Sequence, residues 1–155
     1  MKVLLTATVQ SHICQFHKPL VEVLHEHGCE VHVAAKNNLA EKNGLALDFV
    51  EKVYDIPFAR SPKSPDNLKA YRQLKKIIEK EEYDVIHCNT PMGGIVTRLA
   101  AKKSRKQGTK VYYTAHGFHF YKGASKKNWI VFYPIERLFS RFTDNLITIT
   151  TEDYR

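Results

Sequence analysis

The chain has 155 residues, of which 43% are hydrophobic and 26% charged, proportions typical of a soluble globular protein with a single domain. Lysine and arginine outnumber aspartate and glutamate by 24 to 16, and the net charge of +8 favours anionic partners such as phosphorylated substrates, acidic lipid headgroups or nucleic acid. No apolar run approaches the roughly 20 residues of a membrane span, which excludes a membrane-spanning protein.

The N-terminal third predicts a strand, a helix and a second strand. An apolar run from Lys2 to Val9 is typical of a central parallel strand. From Ile13 the apolar residues take helical spacing up to Gly28, a usual helix stop. Ser11 is the candidate N-cap, and Pro19 leaves the true start of the helix open, because proline fits a first turn better than a helix interior.

A second strand is predicted over Glu30 to Ala34. The polar segment from Asn37 to Leu47 is ambiguous, and Phe49 to Ile56 predicts a third, more exposed strand. The composition of Ala59 to Asp66, with its serines and prolines, indicates a loop.

Ser64 and Asp66 are the candidate caps of the next helix. Its predicted buried stripe and its predicted outer face follow from helical spacing. The stripe is Leu68, Tyr71, Leu74, Ile77 and Ile78, and the outer face carries Lys69, Arg72, Lys75 and Lys76.

The remaining segments continue the alternation. A fourth strand is predicted over Val85 to Cys88, and Thr90 and Pro91 then form the cap and first position of a helix. That helix continues through Ala100 to the basic run Lys102 to Lys106, whose cations suit a helix C-terminus better than they indicate a binding site. The later elements are a fifth strand over Lys110 to Thr114, a helix near Pro134 to Phe142 and a sixth strand over Asn145 to Thr150.

Strands alternating with helices predict an α/β fold, a doubly wound parallel sheet of the Rossmann-like class. Ligands collect at the carboxyl ends of such strands, which here are Thr8 to His12, His87 to Pro91, and Thr114 to Phe118. Small residues, hydroxyls, histidines and two helix N-termini at this edge suit a hydroxyl-rich ligand that carries phosphate.

His116 is the candidate catalytic residue. It follows the β-branched and aromatic fifth strand, and Gly117 allows a sharp turn that leaves the imidazole beside open space. The alternative is a histidine whose hydrogen bonds are satisfied inside the core.

Several classes of site are disfavoured. The loop after the first strand lacks the glycines of a dinucleotide-binding fingerprint, and the chain has no Walker sequence. A metal site is not expected, because His25 and His27 are too close in sequence to share a helix face, and His12 and His17 lack further ligands at metal spacing. Cys14, Cys29 and Cys88 are odd in number and far apart, as in a protein with reduced thiols.

The chain resembles the N-terminal half of bacterial GT-B glycosyltransferases of family 4, the type that makes capsular and exopolysaccharides. The resemblance covers essentially the whole chain, and its most specific block is Tyr113 to Gly123. The other matching segments are Glu30 to Lys36, Ile56 to Pro62, Asn67 to Tyr71, Tyr83 to Pro91, Asn128 to Trp129, Tyr133 to Arg137, and Leu146 to Ile149.

The resemblance implies a retaining transfer of a sugar from a nucleotide-sugar donor to a lipid-diphosphate-linked saccharide acceptor. Residues 1–150 would form the acceptor-binding domain, and 151–155 would begin the crossing to a nucleotide-sugar-binding domain that the chain lacks. The chain alone is therefore expected to fold but not to turn over. No metal or other cofactor is implied, because a helix dipole and basic side chains of the second domain would stabilise the leaving diphosphate.

The resemblance also assigns roles to residues. His116 would contact the donor sugar, and the loop after the first strand would shape the acceptor site. The candidate substrate-binding residues are Ser11, His12, Asn89, Thr90, Gly117 and Phe118. Relatives usually carry a second histidine where this chain has Asn89, and asparagine can hydrogen-bond a hydroxyl but takes up no proton, which argues against acid–base chemistry at this position.

The segment from Phe118 to Phe132 interleaves aromatic residues with lysines, a pattern that favours contact with an anionic bilayer. The candidate membrane-facing residues are Lys122, Lys126, Lys127 and Trp129. Aromatics in the core with a solvated lysine rim are an equal alternative. No recognition motif accompanies the charges, so nucleic acid is not an expected partner. Because Met1 to Leu5 leads straight into a strand and is not a signal peptide, we expect a cytoplasmic protein on the inner face of the cell membrane.

Two other functions remain open from the sequence. One is a non-catalytic membrane adaptor that recruits a separate donor-binding subunit. The other is a free-standing module that binds a small ligand or nucleotide, which would leave the aromatic and basic segment without a role.

Overall fold

A computed structural model describes residues 1–39, 47–59, 64–115 and 145–148. Strands and helices alternate along these ranges. The strands are β1 Lys2–Val9, β2 Glu30–Lys36, β3 Lys52–Asp55, β4 Val85–Asn89, β5 Lys110–Ala115 and β6 Asn145–Thr148. The helices are α1 Gln10–Phe16, α2 Lys18–Glu26, α3 Asp66–Glu81, α4 Pro91–Ala100 and α5 Lys102–Lys106.

The strands form one parallel sheet in the order β3-β2-β1-β4-β5-β6, which confirms the predicted doubly wound α/β fold. The chain builds outward from β1 to β3 and then returns to the other side of β1 with β4. The reversal between β1 and β4 is the topological switch point, where open α/β sheets form a crevice at the carboxyl ends of their strands. The Val3–Val85 and Thr6–Cys88 pairs fix the register of β1 on β4.

The central strands of the sheet are buried on both faces. On one face Leu4 and Ile86 pack with the apolar residues of α3 and α4, and on the other Leu5 and Val33 pack with Ile13 and Val21 of α1 and α2. Burial on both faces explains why β1 and β2 appear in the sequence as nearly continuous apolar runs.

The N-terminal helix is divided in two, and the prediction of one helix capped by Ser11 is wrong. Val9 is the N-cap of α1, and α1 ends before His17, where α2 begins with proline in its first turn. Pro19 lacks an N–H group and has a fixed φ, so it fits a first turn and not a helix interior. The predicted stop is confirmed, since Gly28 has φ +77 and the Cys29 N–H donates to the Leu24 carbonyl oxygen at 3.0 Å.

The predicted stripe of α3 is wrong at Leu68, whose surface is 54% exposed. Asn67 is buried instead, and its side-chain oxygen accepts a hydrogen bond from the Ala59 N–H at 2.9 Å. The N-cap is Pro65 and neither Ser64 nor Asp66, although the Ser64 hydroxyl oxygen accepts a hydrogen bond from the Asp66 N–H. The helix therefore starts from a loop that a buried polar residue holds in place.

Other bounds differ only slightly from expectation. β2, β4 and β5 are one or two residues longer than predicted, β3 is shorter and largely exposed as expected, and the basic run forms the separate short helix α5. The predicted helix over 134–142, residues 149–150 and residues 40–46 lie outside the described residues. Within the described ranges, every helix is too short or too polar to cross a bilayer.

Helix α4 packs very closely on the sheet. Its Gly94 lies against the ring of Tyr113 on β5, where a Cβ would come within 2.5 Å of the ring. The guanidinium carbon of Arg98 lies 4.3 Å from the centre of the same ring, and Arg98 is almost completely buried while its Nε–H donates to the Gly94 carbonyl oxygen. This close packing holds the start of α4 at the switch point.

Candidate functional site

Two threonines meet at the switch point. Thr8, near the end of β1, and Thr90, directly after β4, have hydroxyl oxygens 2.7 Å apart, and the Thr8 N–H donates to the Thr90 hydroxyl at 3.0 Å. The Thr90 hydroxyl in turn donates to the carbonyl oxygen of Asn89. These hydrogen bonds tie the ends of the two central strands together.

The backbone of Thr90 is strained. Its φ of 66° and ψ of 152° lie in a region that is nearly reserved for glycine and costs about 1–3 kcal/mol for other residues. The hydroxyl contacts with Thr8 and Asn89 compensate for this strain. Strained residues held by their surroundings are concentrated at functional sites, and Thr90 lies where the fold class binds its ligands.

Gly93 permits the first turn of α4 to lie directly on the end of β1. A Cβ at this position would be 2.7 Å from the Thr90 hydroxyl oxygen and 3.1 Å from backbone atoms of Ala7 and Thr8. The close approach brings the N-terminus of a ten-residue helix to the crevice, where its N–H groups and dipole favour an anionic group.

Three histidines extend from this edge toward β5. The ring centres of His12 and His17 are 5.4 Å apart, and those of His17 and His87 are 5.7 Å apart. His12 is partly exposed, whereas His17 and His87 are buried. His87 Nε2 hydrogen-bonds the hydroxyl of Thr114, the residue that precedes Ala115 at the end of β5. Imidazoles and hydroxyls that can donate and accept are therefore concentrated at the carboxyl edge.

Polar side chains also connect the start of α1 to the end of β2. The Ser11 N–H donates to the Asn38 side-chain oxygen at 2.9 Å, and the Asn38 amide donates to the Ser11 hydroxyl at 2.7 Å. The Gln10 amide donates to the Ala35 carbonyl oxygen. This reciprocal pairing holds the first turn of α1, and with it His12, beside the crevice.

Asn89 is fully buried, and its side-chain amide donates to the Thr6 carbonyl oxygen at 3.1 Å. The contact bridges β4 to β1 just below the two threonines. An asparagine performs this task as a neutral donor, so no charge has to be buried at the position.

The chain is similar in sequence to a family of known proteins. Residues 2–150 match a family described as glycosyl transferase 4-like. The chain belongs to the glycosyl transferase 4-like family. It is 51% identical over 153 residues to a protein of Bacillus subtilis (strain 168) that bears the name "Putative glycosyltransferase EpsD". The match covers 99% of this chain and 39% of EpsD.

A second relative of this glycosyl transferase 4-like chain is the UDP-Gal:alpha-D-GlcNAc-diphosphoundecaprenol alpha-1,3-galactosyltransferase of Escherichia coli. The two are 28% identical over 122 residues, which cover 76% of this chain and 31% of that enzyme. The chain therefore spans between about a third and two fifths of the length of these curated relatives.

The fold agrees with solved structures. The UDP-GlcNAc 2-epimerase from Methanocaldococcus jannaschii superposes with a TM-score of 0.67 at 16% identity, over 97% of this chain and 40% of the epimerase. At this identity the likeness concerns the fold, which is one Rossmann-like half of the GT-B architecture.

The structure brings four of the predicted substrate-binding residues of this glycosyl transferase 4-like chain to one edge, namely Ser11, His12, Asn89 and Thr90. Of these, His12 is partly exposed at the crevice, while Ser11 and Asn89 are buried among protein partners. His116, Gly117 and Phe118 lie outside the described residues, as do Lys122, Lys126, Lys127 and Trp129.

His17 was not predicted as a site residue, and His87 was predicted only as the first residue of the ligand-binding segment His87 to Pro91. The signal for His87 was available, because alternation along β4 places it on the same face as Asn89. The sequence carries no such signal for His17, because the position of His17 depends on the break between α1 and α2.

A second polar cluster lies at the opposite edge, near the amino ends of the strands. His32 Nε2 is 2.7 Å from a Glu30 carboxylate oxygen, and its Nδ1 is 2.8 Å from the Tyr83 hydroxyl and 3.2 Å from Glu81. The carboxylates sit on opposite sides of the ring, and the Lys2 and Lys52 ammonium groups lie 3.5 and 3.7 Å from Glu81. One ligand atom from each of Glu30, His32 and Glu81 lies within 4.8 Å of the others, close enough to hold a metal ion. With the two ammonium groups and the Tyr83 hydroxyl beside them, the same groups form an ion-pair network.

Glu81 gives this network a pH dependence. Burial alone would raise the pKa of its carboxyl group, but the ammonium groups of Lys2 and Lys52 and the His32 imidazole outweigh burial and lower the pKa. A lowered pKa in the folded state contributes stability above the ordinary value of 4.5, and this contribution is lost as pH falls through the folded pKa.

We expect Glu81→Gln to lower the free energy of unfolding by about 1 kcal/mol at pH 7, because the ammonium groups lose their anion. The difference from the unsubstituted chain should shrink as pH falls below 4.5. Urea unfolding at pH 7, 5 and 4 measures it, with the exposed Glu79→Gln on the same helix as control. A difference that stays constant across these pH values would contradict the assignment.

Proposed function

We propose that the chain is the acceptor-binding half of a retaining glycosyltransferase that moves a sugar from a nucleotide sugar to a lipid-diphosphate-linked saccharide in cell-surface polysaccharide synthesis. Residues 1–150 form the acceptor-binding domain in this proposal, and 151–155 begin the crossing to a nucleotide-sugar-binding domain. The transferase is of the hexosyl type and acts at the cytoplasmic face of the membrane, and the 155-residue chain alone is inactive.

The observation that carries the proposal is the convergence of hydroxyls, imidazoles and a helix N-terminus at the switch point in a member of this family. Thr8 and Thr90 hydrogen-bond each other at the start of α4, and His12 lies in the first turn of α1, which directly follows β1. Hydroxyl and imidazole groups suit the hydroxyls of a saccharide, and a helix N-terminus suits the diphosphate that joins it to a lipid. The name of the Escherichia coli relative supports the acceptor class, since it specifies a diphosphoundecaprenol-linked sugar.

The division of labour follows from the chemistry of the transfer. The second domain holds the nucleotide, and the acceptor hydroxyl must approach the donor sugar from the carboxyl edge of this sheet. Near-attack positioning of the two sugars is the main contribution that this half can make. His116, which directly follows the last residue of β5, contacts the donor sugar in this proposal.

The partly exposed His12 allows a direct test with the 155-residue chain. We expect it to bind a saccharide joined by diphosphate to a short isoprenoid, and to show no measurable affinity for UDP- or GDP-sugars in calorimetry. His12→Ala should weaken binding of the acceptor analogue by about three- to tenfold, the effect of losing one hydrogen bond to a sugar hydroxyl.

His25→Ala is the matched control, because His25 is a partly exposed histidine on α2 that pairs with Glu51 away from the crevice. It should leave the affinity unchanged. Micromolar binding of a nucleotide sugar to the chain, or equal losses in the two variants, would overturn the proposed division of labour.

A further inference from the structure

A cavity of about 430 Å³ lies at the amino-terminal edge of the sheet, opposite the crevice. Its walls come from the end of α3, from α5, and from the residues that directly precede β4 and β5. The volume is within the range of about 300–1,000 Å³ that small-molecule sites occupy. We call it the amino-edge cavity, and its lining includes Glu79, Glu82, Asp84, Lys103, Ser104 and Thr109.

Ser104, on α5, contributes a hydroxyl group to the amino-edge cavity. The residue is only 8% exposed, and in the part of the chain that the structure describes no donor or acceptor pairs with its hydroxyl. The hydroxyl of Thr109, by contrast, donates to the Tyr83 carbonyl oxygen at 2.8 Å. Because polar groups at this depth are nearly always hydrogen-bonded, the Ser104 hydroxyl requires a partner inside the cavity.

Contacts within the fold account for only some of the acidic groups at the end of α3. Glu81 pairs with two lysines, and the Asp84 carboxylate accepts a hydrogen bond from the Lys2 N–H at 2.7 Å. Glu79 and Glu82 form no ion pair with any residue of the described ranges. The C-terminal end of a helix dipole disfavours anions, so a cation in the cavity would stabilise both carboxylates.

Lys103 lines the same cavity from α5, next to Ser104 in the chain. Its ammonium group forms no ion pair with Glu79, Glu82 or any other carboxylate that the structure describes. Two anions and one cation therefore line one cavity without neutralising each other. A ligand with two cationic groups and one anionic group would complement all three.

We propose that the amino-edge cavity binds a free basic amino acid of the lysine or arginine kind. The two cationic groups of the ligand lie at Glu79 and Glu82, and its carboxylate lies at Lys103 and accepts a hydrogen bond from the Ser104 hydroxyl. A diamine would leave Lys103 without an anion, and a neutral amino acid would leave one glutamate without a cation. The inference is independent of the proposed function, since it concerns the opposite edge of the sheet.

Calorimetry with the 155-residue chain tests the proposal with three probes. L-lysine carries both cations and the carboxylate, cadaverine lacks the carboxylate, and L-norleucine lacks the side-chain cation. We expect saturable binding of L-lysine. Cadaverine and L-norleucine should each bind at least about tenfold more weakly, because each loses one hydrogen-bonded contact with a charged group.

Variants of the cavity assign each contact. The double variant Glu79→Gln, Glu82→Gln should bind L-lysine at least about tenfold more weakly. Lys103→Gln should weaken binding of L-lysine but not of cadaverine, because cadaverine has no carboxylate. The matched control Glu22→Gln, Glu26→Gln removes the same charge from exposed positions of α2 and should bind L-lysine as the unsubstituted chain does.

Ser104→Ala separates a ligand contact from a structural role. It should weaken binding of L-lysine by about three- to tenfold, the effect of one lost hydrogen bond. The Tm should not fall, because alanine is favourable in a helix and the substitution breaks no hydrogen bond of the described fold. A lower Tm with unchanged affinity would contradict the placement of Ser104 in the site.

Several results would overturn the proposal. Equal weakening in the two double variants would show that net charge alone acts. Equal affinities for L-lysine and cadaverine, or for L-lysine and L-norleucine, would exclude recognition of a basic amino acid, and so would the absence of saturable L-lysine binding. None of these results bears on the acceptor-binding test, because the probes contain neither a saccharide nor a diphosphate.

Discussion

Gly93→Ala is expected to destabilise the fold by about 2–3 kcal/mol, in the upper range of overpacked positions. The added Cβ would be 2.7 Å from the Thr90 hydroxyl oxygen and 3.1 Å from backbone atoms of β1. A backbone cannot move aside as a flexible side chain can, so the start of α4 must separate from the end of β1. The hydrogen bonds between Thr8 and Thr90 would be lost with this movement.

Thermal unfolding measures the effect, which corresponds to a fall in Tm of about 5–10 °C for a domain of this size. Gly108→Ala is the control, because Gly108 has φ +111 but nothing within 4 Å of an added Cβ. It should cost about 1 kcal/mol from backbone conformation alone and should leave binding of the acceptor analogue intact. A Gly93→Ala variant that melts with the unsubstituted chain would contradict the packing of α4 on β1.

In the proposed full-length transferase, which would join this chain to a nucleotide-sugar-binding domain, His116→Ala is expected to lower turnover by about 100- to 1,000-fold. The proposed hydrogen bond to a sugar hydroxyl tightens in the transition state, so the loss should appear in kcat more than in KM. Steady-state kinetics with the nucleotide sugar and the lipid-linked acceptor measure both constants.

Stability distinguishes this role from that of a core histidine. Removal of a buried structural histidine costs a kcal/mol or more through the partner it leaves unpaired, whereas removal of a side chain that faces the crevice should leave the Tm unchanged. His25→Ala serves again as the control for a generic histidine loss. A large fall in Tm with near-normal kcat in the folded fraction would rule out the catalytic role.

The sheet could be predicted from the sequence because strands buried on both faces require uninterrupted apolar runs. Lys2–Val9 matched its prediction at both ends, and the other strands differed from theirs by a few residues at most. A polar residue at Leu4–Leu5 or Val33–Ala35 would face a packed helix layer on one side or the other. The buried His32 of β2 is accommodated because Glu30, Tyr83 and Glu81 contact its ring nitrogens.

The detailed geometry of the site was less predictable, because it depends on tertiary contacts between distant segments. A hydrophobic pattern does not indicate that Asn67 is buried to hold the Ala59 backbone, or that Leu68 is left exposed. The sequence also does not indicate the positive φ of Thr90. The residue that hydrogen-bonds the Thr90 hydroxyl and compensates for this strain is Thr8, 82 residues earlier in the chain. Local propensity would assign such a conformation to glycine.

Strand β3 is an edge strand of the sheet, and its features affect the solubility of the domain. An edge strand presents unpaired backbone groups that can recruit a strand from another molecule, and short length and flanking charge are common protections. β3 has only four residues, begins with Lys52 and ends with Asp55, and its side chains are mostly exposed. Its Asp55 carboxylate also accepts a hydrogen bond from the Asn37 N–H, which draws the neighbouring chain across the end of the strand. The sheet therefore ends on this side in a segment that is poorly suited to intermolecular pairing, so concentrated protein should not self-associate through β3.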